Sequence, residues 1–222
     1  MDRIPLPQQN YQNLLMETQV FPPVQTLAFC VHSQKIFIEA HEHYQKRSFR
    51  NRYRLGGCQG IVELSIPLKK GKNQQQRIAD VLIAYDRPWP ELHWKAIQSS
   101  YGKSAYFIYY KDEVRELLHS RPERLLEFNG LVFDRIGRWL KLNLDWHLSL
   151  RYETSENPSL LDLRSRITPK TIGHFPAEPY YQVFSSVTGF LPQLSVLDLL
   201  FHLGPDAAAY LQQTPVQLVS VT

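Results

Sequence analysis

The residues with the most potential for chemistry lie in one basic segment, residues 41–54, with the sequence HEHYQKRSFRNRYR. If the chain is extended over residues 50–54, the two-residue period of a strand places Arg50, Arg52 and Arg54 on one face. A guanidinium group can form two parallel hydrogen bonds with a phosphate or carboxylate group. Three of them on one face therefore predict an anion site.

The predicted anion site extends from Lys46 to Arg52 and includes Asn51 as a further polar contact. The segment follows a predicted buried strand, and ligands of open α/β sheets bind beyond the carboxyl ends of the strands. This position favours the anion site over the alternative, in which the arginines form ion pairs across a sheet. The acidic residues considered as partners in that alternative are Glu17, Glu39 and Glu63.

Three residues of the same segment, His43, Tyr44 and Lys46, are candidate catalytic residues. An imidazole group can act as a general base near neutral pH, and an ammonium group can contact a charged substrate close to the reacting atoms. His41 and His43 are two residues apart, so both rings could reach one metal ion. A zinc or iron site needs a further ligand, and no neighbouring residue supplies one at a recognisable spacing, so no metal site is predicted.

The distribution of charge also indicates an anionic partner. The chain has a net charge of +4, but residues 41–77 contain nine basic residues and two acidic ones, an excess of seven. The rest of the chain is therefore slightly acidic. A local excess of positive charge predicts a small anionic ligand. Nucleic acid is not expected as a partner, because the net charge is small and no nucleic-acid-binding motif is present.

A second group of candidates is aromatic. His93 and Trp94 are candidate substrate-binding residues, because aromatic rings can stack on a sugar or a base. They lie in a predicted helix, where His93, Ile97 and Tyr101 are spaced by four residues and share one face. The alternative is that these rings close the hydrophobic core.

Several common signatures are absent from the sequence. It contains no Gly-x-Ser-x-Gly, no Gly-x-x-x-x-Gly-Lys-Ser/Thr and no Gly-x-Gly-x-x-Gly motif, and it assigns no cofactor. Cys30 and Cys58 show no Cys-x-x-Cys spacing, so a reducing compartment is the default expectation. The first 30 residues lack a signal-peptide pattern, and the longest apolar runs are only a few residues. The expectation is a cytoplasmic protein without a membrane span.

The elements that must position the basic segment begin with a predicted β-α-β unit. Its strands cover residues 13–17 and 35–39, and its helix covers residues 24–31 after Pro23, which suits a helix start. A hairpin follows, in which Tyr53-Arg54-Leu55 and the alternating run 61–68 flank a glycine-rich turn.

The remaining pattern predicts a further strand over residues 78–85 and helices over 91–101 and within 122–142. A strand over 146–152 and an irregular segment over 157–172, with at most one helical turn, come next. In the last third, Ser195 and Asp198 have the spacing of a capping box at a helix start. Gly204 ends that helix, and Pro205 begins another that runs to Pro215.

Together these elements predict an α/β fold. It is a single domain over residues 1–222, with a mixed β-sheet formed by the N-terminal β-α-β unit and the hairpin and packed by helices. No internal repeat is evident, and no linker is long enough to separate two domains.

Ordered sequence matches to one known family extend over nearly the whole chain. They include Phe21-Pro22-Pro23, His43 to Arg52, Leu92 to Ile97, Tyr180 to Phe184, Gly189 to Pro192 and Leu194 to Phe201. On these residues the chain resembles the WbqC-like family of bacterial proteins. Members of that family are associated with surface-polysaccharide gene clusters, including those for O-antigen. The resemblance therefore implies glycan or sugar-nucleotide chemistry.

The resemblance and the charge pattern lead to one hypothesis. The protein is a cytosolic enzyme of bacterial surface-polysaccharide biosynthesis, a transferase that acts on a sugar nucleotide or an amino sugar. The residues predicted to bind the substrate or its anionic group are Arg50, Asn51, Arg52, His93 and Trp94, and those predicted for catalysis are Lys46, His43 and Tyr44. The alternative is a non-catalytic scaffold that docks a partner through the same basic segment.

Overall fold

The structure is a computed structural model that describes residues 11–69, 76–154 and 160–218. The chain begins with strand β1 (Tyr11–Glu17), helix α1 (Val24–Val31) and strand β2 (Ser33–Glu39). The two strands pair in parallel, as the β-α-β pattern predicts. Helix α1 starts directly after Pro23, whose φ of −58° already suits a helix, and its residues from Val24 to Cys30 are buried.

The predicted hairpin is also present. Strand β3 (Arg52–Gly57) pairs with strand β4 (Gly60–Ser65) in an antiparallel ladder that extends from Arg52 and Ser65 to Gly57 and Gly60. Alternate residues of β3 are buried, as its two-residue period requires. The hairpin forms a two-stranded sheet of its own, so it does not share a ladder with β1 and β2.

The predicted strand over residues 78–85 is wrong. Residues Ile78–Asp80 form a 3₁₀ turn, and the rest of the segment makes only isolated bridges, between Ile83 and Leu68 and between Leu82 and Arg124. Ile78, Val81 and Ile83 are buried. Because the bridged residues pair one at a time with two different neighbours, no continuous ladder forms.

Three helices make up the middle of the chain: α2 (Trp89–Tyr101), α3 (Phe107–Leu118) and α4 (Leu125–Trp139). The first and third were predicted from the spacing of their apolar residues. Helix α3 was not predicted, because its aromatic start obscures the period and only Val114, Leu117 and Leu118 are buried.

Two short strands complete the parallel sheet. Strand β5 (Trp146–Leu148) pairs with β2, and strand β6 (Leu160–Asp162) pairs with β1, so that the order is β5-β2-β1-β6 and every neighbouring pair is parallel. The predicted strand over 146–152 is therefore confirmed only at its start. The expectation of an irregular or helical segment at residues 160–163 is wrong, because the open edge of β1 supplies backbone partners there.

Three helices follow: α5 (Ser185–Thr188), α6 (Val196–Leu203) and α7 (Ala207–Gln213). The capping-box prediction at the start of α6 is wrong. Ser195 is the N-cap residue but makes no side-chain cap hydrogen bond. The carboxylate of Asp198 instead accepts hydrogen bonds from Tyr180 and Gln182, which fasten the preceding segment onto the helix.

One hydrophobic core joins these elements. It runs from the sheet, through Leu14 and Met16, across helix α1 to the helical side, where Phe128 and Leu200 are fully buried. Helix α2 packs against α3, α6 and the hairpin strand β3.

The parallel sheet together with these helices confirms the predicted α/β class. None of the helices in the described ranges has the length and apolar character needed to cross a membrane.

The end of helix α6 generates a stability prediction. Gly204 has φ +52°, and a Cβ atom there would lie 2.4 Å from the ring of Tyr106. Gly189 has φ +70°, but nothing would lie within 4 Å of its Cβ atom. Gly189→Ala should therefore cost only backbone strain, about 1–3 kcal/mol. Gly204→Ala should cost that strain plus an overlap of about 1–3 kcal/mol.

Urea unfolding followed by circular dichroism measures both free energies. Equal losses in the two variants would contradict the close packing of Gly204 against Tyr106.

Candidate functional site

A cleft of about 750 Å³ opens beside the carboxyl ends of the parallel strands. Because all four strands run in the same direction, their carboxyl ends lie along one edge of the sheet and the loops that follow them lie close together. The loop after β2 contributes residues 42–46 to the lining. The segments around β6 contribute Tyr152, Asp162, Arg164 and Ser165.

The carboxylate of Glu39, at the end of β2, connects these loops. It is fully buried and accepts hydrogen bonds from the backbone N–H groups of His41 (2.9 Å) and Glu153 (3.0 Å). It also accepts hydrogen bonds from the Ser149 hydroxyl (2.7 Å) and from Nη1 of Arg164 (3.1 Å). These donors come from the loops after β2, β5 and β6, so a single carboxylate fixes the positions of three loops.

Arg164 forms one wall of the cleft. Its Nε and Nη2 atoms donate to Oδ1 and Oδ2 of Asp162 at 3.0 and 2.7 Å. The guanidinium group also lies over the ring of Tyr152, 4.8 Å from its centroid. With Asp162 and Glu39 as partners, the charge of Arg164 is already neutralised within the protein.

Arg50 lies near the end of the loop between β2 and β3 and does not itself line the cleft. It is 1% exposed, and its Nε and Nη2 atoms donate to Oε1 and Oε2 of Glu42 at 2.7 and 2.6 Å. Glu42 lines the cleft. A second buried carboxylate, Glu17, also interacts with the charge of Arg50; burial raises the pKa of Glu17, and Arg50 opposes that rise. Arg50 therefore neutralises carboxylates inside the fold.

Two further predicted residues, Tyr44 and Asn51, form a buried pair. The Tyr44 hydroxyl donates to Oδ1 of Asn51 at 2.9 Å, and Nδ2 of Asn51 donates to the carbonyl of Ile66 at 2.9 Å. Burial raises the pKa of Tyr44. Tyr44 lines the cleft, but its hydroxyl proton is donated to Asn51. The pair holds the basic segment against the start of the hairpin.

Lys46 and His43 both line the cleft, and both are exposed. Their predicted catalytic role stays a prediction. Within residues 11–69, 76–154 and 160–218, neither side chain makes a hydrogen bond or an ion pair. The other charged side chains of the lining, Glu42, Asp162 and Arg164, are all paired. Lys46 and His43 are therefore the groups that a ligand can reach without displacing an internal partner.

The three arginines expected on one face separate in the structure. Arg52 and Arg54 lie in β3 and both approach Glu63, at 2.7 and 3.6 Å, as the ion-pair alternative predicted. Arg50 precedes the strand and turns into the core toward Glu42. The expected common face is therefore wrong for Arg50, because regular extended structure begins only at Arg52. Neither Arg52 nor Arg54 lines the cleft. An anion-binding role for Arg50, Asn51 and Arg52 stays a prediction.

His93 and Trp94 lie on helix α2 and do not line the cleft. Nδ1 of His93 lies 3.0 Å from the Tyr53 hydroxyl, and burial lowers the pKa of His93 to about 4. Trp94 is stacked on Phe107, with their ring planes 17° apart. Both residues have the core packing that the alternative predicted, and their substrate-binding role stays a prediction.

The residues that sequence reasoning missed come from the segment around β6. Asp162, Arg164 and Ser165 directly follow the paired leucines of the strand. The run Leu-Leu-Asp-Leu-Arg-Ser would have pointed to them only if residues 160–162 had been recognised as a parallel strand. No group of three or more His, Cys, Asp or Glu residues in the described ranges is arranged to hold a metal ion.

Comparison with known proteins gives a family but no activity. The family model of the WbqC-like protein family matches residues 19–173, more than half of the chain. The chain is also 25% identical over 194 residues to the uncharacterized protein Rv1507c of Mycobacterium tuberculosis (strain ATCC 25618 / H37Rv). That match covers 76% of this chain and 84% of the relative. No solved structure matches the chain. The chain belongs to the WbqC-like protein family.

The ion pair beneath the cleft generates a stability prediction. Arg50→Met leaves Glu42 buried without its counter-charge, close to Glu17, and should cost about 3–5 kcal/mol. Glu42→Gln should cost less, because Glu17 still faces Arg50. The matched control is Arg52→Met, which removes a half-exposed ion pair and should cost less than about 1 kcal/mol. Urea unfolding measures all three, and a loss for Arg50→Met no larger than for Arg52→Met would contradict the prediction.

The buried His93 generates a pH prediction. Its pKa is lower in the folded protein, about 4, than in the unfolded chain, about 6.5. The unfolded state therefore binds more protons as the pH falls, and the protein should lose about 3 kcal/mol of stability between pH 6.5 and 4 through this group.

In His93→Gln this part of the pH dependence should disappear, whereas in the exposed control His147→Gln it should remain. Unfolding free energies measured across this pH range test the prediction. Parallel curves for wild type and His93→Gln would contradict it.

Proposed function

We propose that this member of the WbqC-like protein family is a cytoplasmic transferase that binds a phosphorylated sugar donor, such as a sugar nucleotide, in the cleft. One observation carries the proposal: Lys46 and His43 have no side-chain partner in the described ranges, in a cleft whose other charged groups are paired. An unpaired ammonium group beside an imidazole group suits a phosphate and a transferable proton.

A paired carboxylate of the lining suits the sugar part of such a ligand. Glu42 accepts two hydrogen bonds from Arg50. An ionised carboxylate has about four acceptor positions, so Glu42 keeps positions that sugar hydroxyl groups can fill. Asp162 accepts four hydrogen bonds from Arg164, three from the guanidinium group and one from the backbone N–H, and serves to orient that arginine. The Glu42 carboxylate is oriented before the ligand arrives, which lowers the entropy cost of binding.

The same groups support a transfer step. An acceptor hydroxyl or amine forms the new bond to the transferred group and loses its proton to His43. The bond between that group and the donor phosphate oxygen breaks, and its electron pair leaves with the phosphate. Lys46 then offsets the charge that develops on the leaving phosphate. Burial raises the pKa of Tyr44, and its hydroxyl keeps its proton and donates a hydrogen bond to Oδ1 of Asn51, so His43 is the proton acceptor in this proposal.

The family membership supports the biological part of the proposal. The WbqC-like family is associated with surface-polysaccharide gene clusters, including those for O-antigen, and sugar nucleotides are substrates of that chemistry. The alternative scaffold function depends on a free basic segment. In the structure Arg50 pairs with Glu42, and Arg52 and Arg54 approach Glu63, so the charge that a docking partner could use is smaller than the sequence suggests.

Lys46→Gln tests the proposal. The side chain would lose a charge-assisted hydrogen bond to phosphate, so affinity for the donor should fall about 10- to 100-fold. The matched control is Lys35→Gln. Lys35 is also exposed, but it lies near the amino end of β2, whereas the cleft lies beside the carboxyl end of that strand. A thermal-shift screen of sugar nucleotides finds the donor, and calorimetry measures its affinity for wild type and both variants.

Equal affinities in Lys46→Gln and Lys35→Gln would contradict the assignment of Lys46. If no sugar nucleotide or phosphate raised the melting temperature, the donor site itself would be excluded. Salt-sensitive capture of an acidic protein would then favour the scaffold alternative.

A further inference from the structure

Two loops beside the cleft carry positive charge that no internal carboxylate neutralises. The loop after β2 presents Lys46 and Arg47, and the loop after β6 presents Arg166 and Lys170. All four side chains are exposed or largely so, and none makes a hydrogen bond or an ion pair within the part of the chain that the structure describes. The arginines farther inside are all paired, so these four cations are a separate feature of the site.

The two loops are held next to each other. The hydroxyl of Ser165 lies 3.5 Å from Oε1 of Gln45, and both residues line the cleft. The backbone N–H of Ser165 donates to the buried carboxylate of Glu17 at 2.8 Å. Farther along the second loop, Nη2 of Arg54 donates to the carbonyl of Pro169 at 3.1 Å. These contacts hold the backbone of the two loops next to each other beside the cleft. Of the four cations, Lys46 lines the cleft itself, and Arg47, Arg166 and Lys170 lie on the loops that adjoin it.

Each loop also contains a residue in the left-handed backbone region. Arg47 has φ +56° and Ser165 has φ +59°, and neither is a glycine. In this region the Cβ atom of an L-residue lies too close to the following carbonyl oxygen, so residues other than glycine adopt it at an energetic cost. Positions of this kind cluster at sites of function, where the rest of the fold maintains them. Here Ser165 lines the cleft, and Arg47 directly follows Lys46, which also lines it.

We infer that Lys46, Arg47, Arg166 and Lys170 form a clamp for the diphosphate of a nucleoside diphosphate derivative. The inference rests on the proposed function, because it places the diphosphate of the same donor. Like charges on two adjoining loops repel each other unless an anion lies between them. A monophosphate needs only the Lys46 end of the site, whereas two linked phosphates match cations on both loops. The clamp therefore selects a diphosphate-activated donor over a sugar monophosphate.

The test measures how much the cations of the loop after β6 contribute to the affinity for phosphate compounds. Calorimetry measures the affinity of uridine diphosphate, inorganic pyrophosphate and inorganic phosphate for the full chain. The test variant is Arg166→Gln/Lys170→Gln, and the matched control is Lys95→Gln/Lys103→Gln, which removes two exposed charges from the region of α2. Exposed substitutions of this kind normally change stability little, and melting temperatures verify that each variant is folded.

The clamp predicts that the test variant loses at least about tenfold in affinity for uridine diphosphate and pyrophosphate, while its affinity for phosphate stays within about twofold. The control variant should match wild type for all three probes. Unchanged diphosphate affinity in the test variant, together with a loss in Lys46→Gln, would overturn the clamp and leave the proposed donor site standing. Absence of binding by these probes and by sugar nucleotides in wild type would overturn both.

Discussion

The buried carboxylate of Glu39 is the interaction on which the candidate site depends. It lies at the carboxyl end of β2 with no access to solvent, so its charge has to be compensated by protein donors. Those donors are two backbone N–H groups, the hydroxyl of Ser149 and the guanidinium group of Arg164. Because they come from three different loops, the cleft walls cannot move independently while the carboxylate remains satisfied.

The same requirement explains the distribution of charge around the cleft. Carboxylates end three neighbouring strands, at Glu17, Glu39 and Asp162, and Glu42 follows closely. Two arginines compensate the charges of these carboxylates. Arg50 forms an ion pair with Glu42 and also interacts with the charge of Glu17. Arg164 forms ion pairs with Asp162 and Glu39. The charges of these two arginines are therefore neutralised inside the protein. The cations available to a ligand are those at the surface of the loops.

The helical part of the molecule has a different role. Helix α2 contributes His93 and Trp94 to the core, where the Tyr53 hydroxyl and the ring of Phe107 contact them. It packs against strand β3 of the hairpin, and the buried Asn51, the partner of Tyr44, directly precedes that strand. The helices thus support the hairpin, and the hairpin supports the loop that carries Lys46 and His43. The parallel sheet and the helical core meet at the basic segment.

Local sequence patterns determined much of the fold. Apolar periods and turn residues predicted the β-α-β unit, the hairpin and helices α2 and α4, and the basic segment pointed to Lys46 and His43. These features depend on neighbouring residues, which the sequence displays directly. The tertiary structure decided that residues 160–162 form a strand, that Arg50 pairs with Glu42, and that Arg164 reaches Glu39, 125 residues away in the chain. The partner of a buried charge depends on which strand ends lie side by side, and no local period records that arrangement.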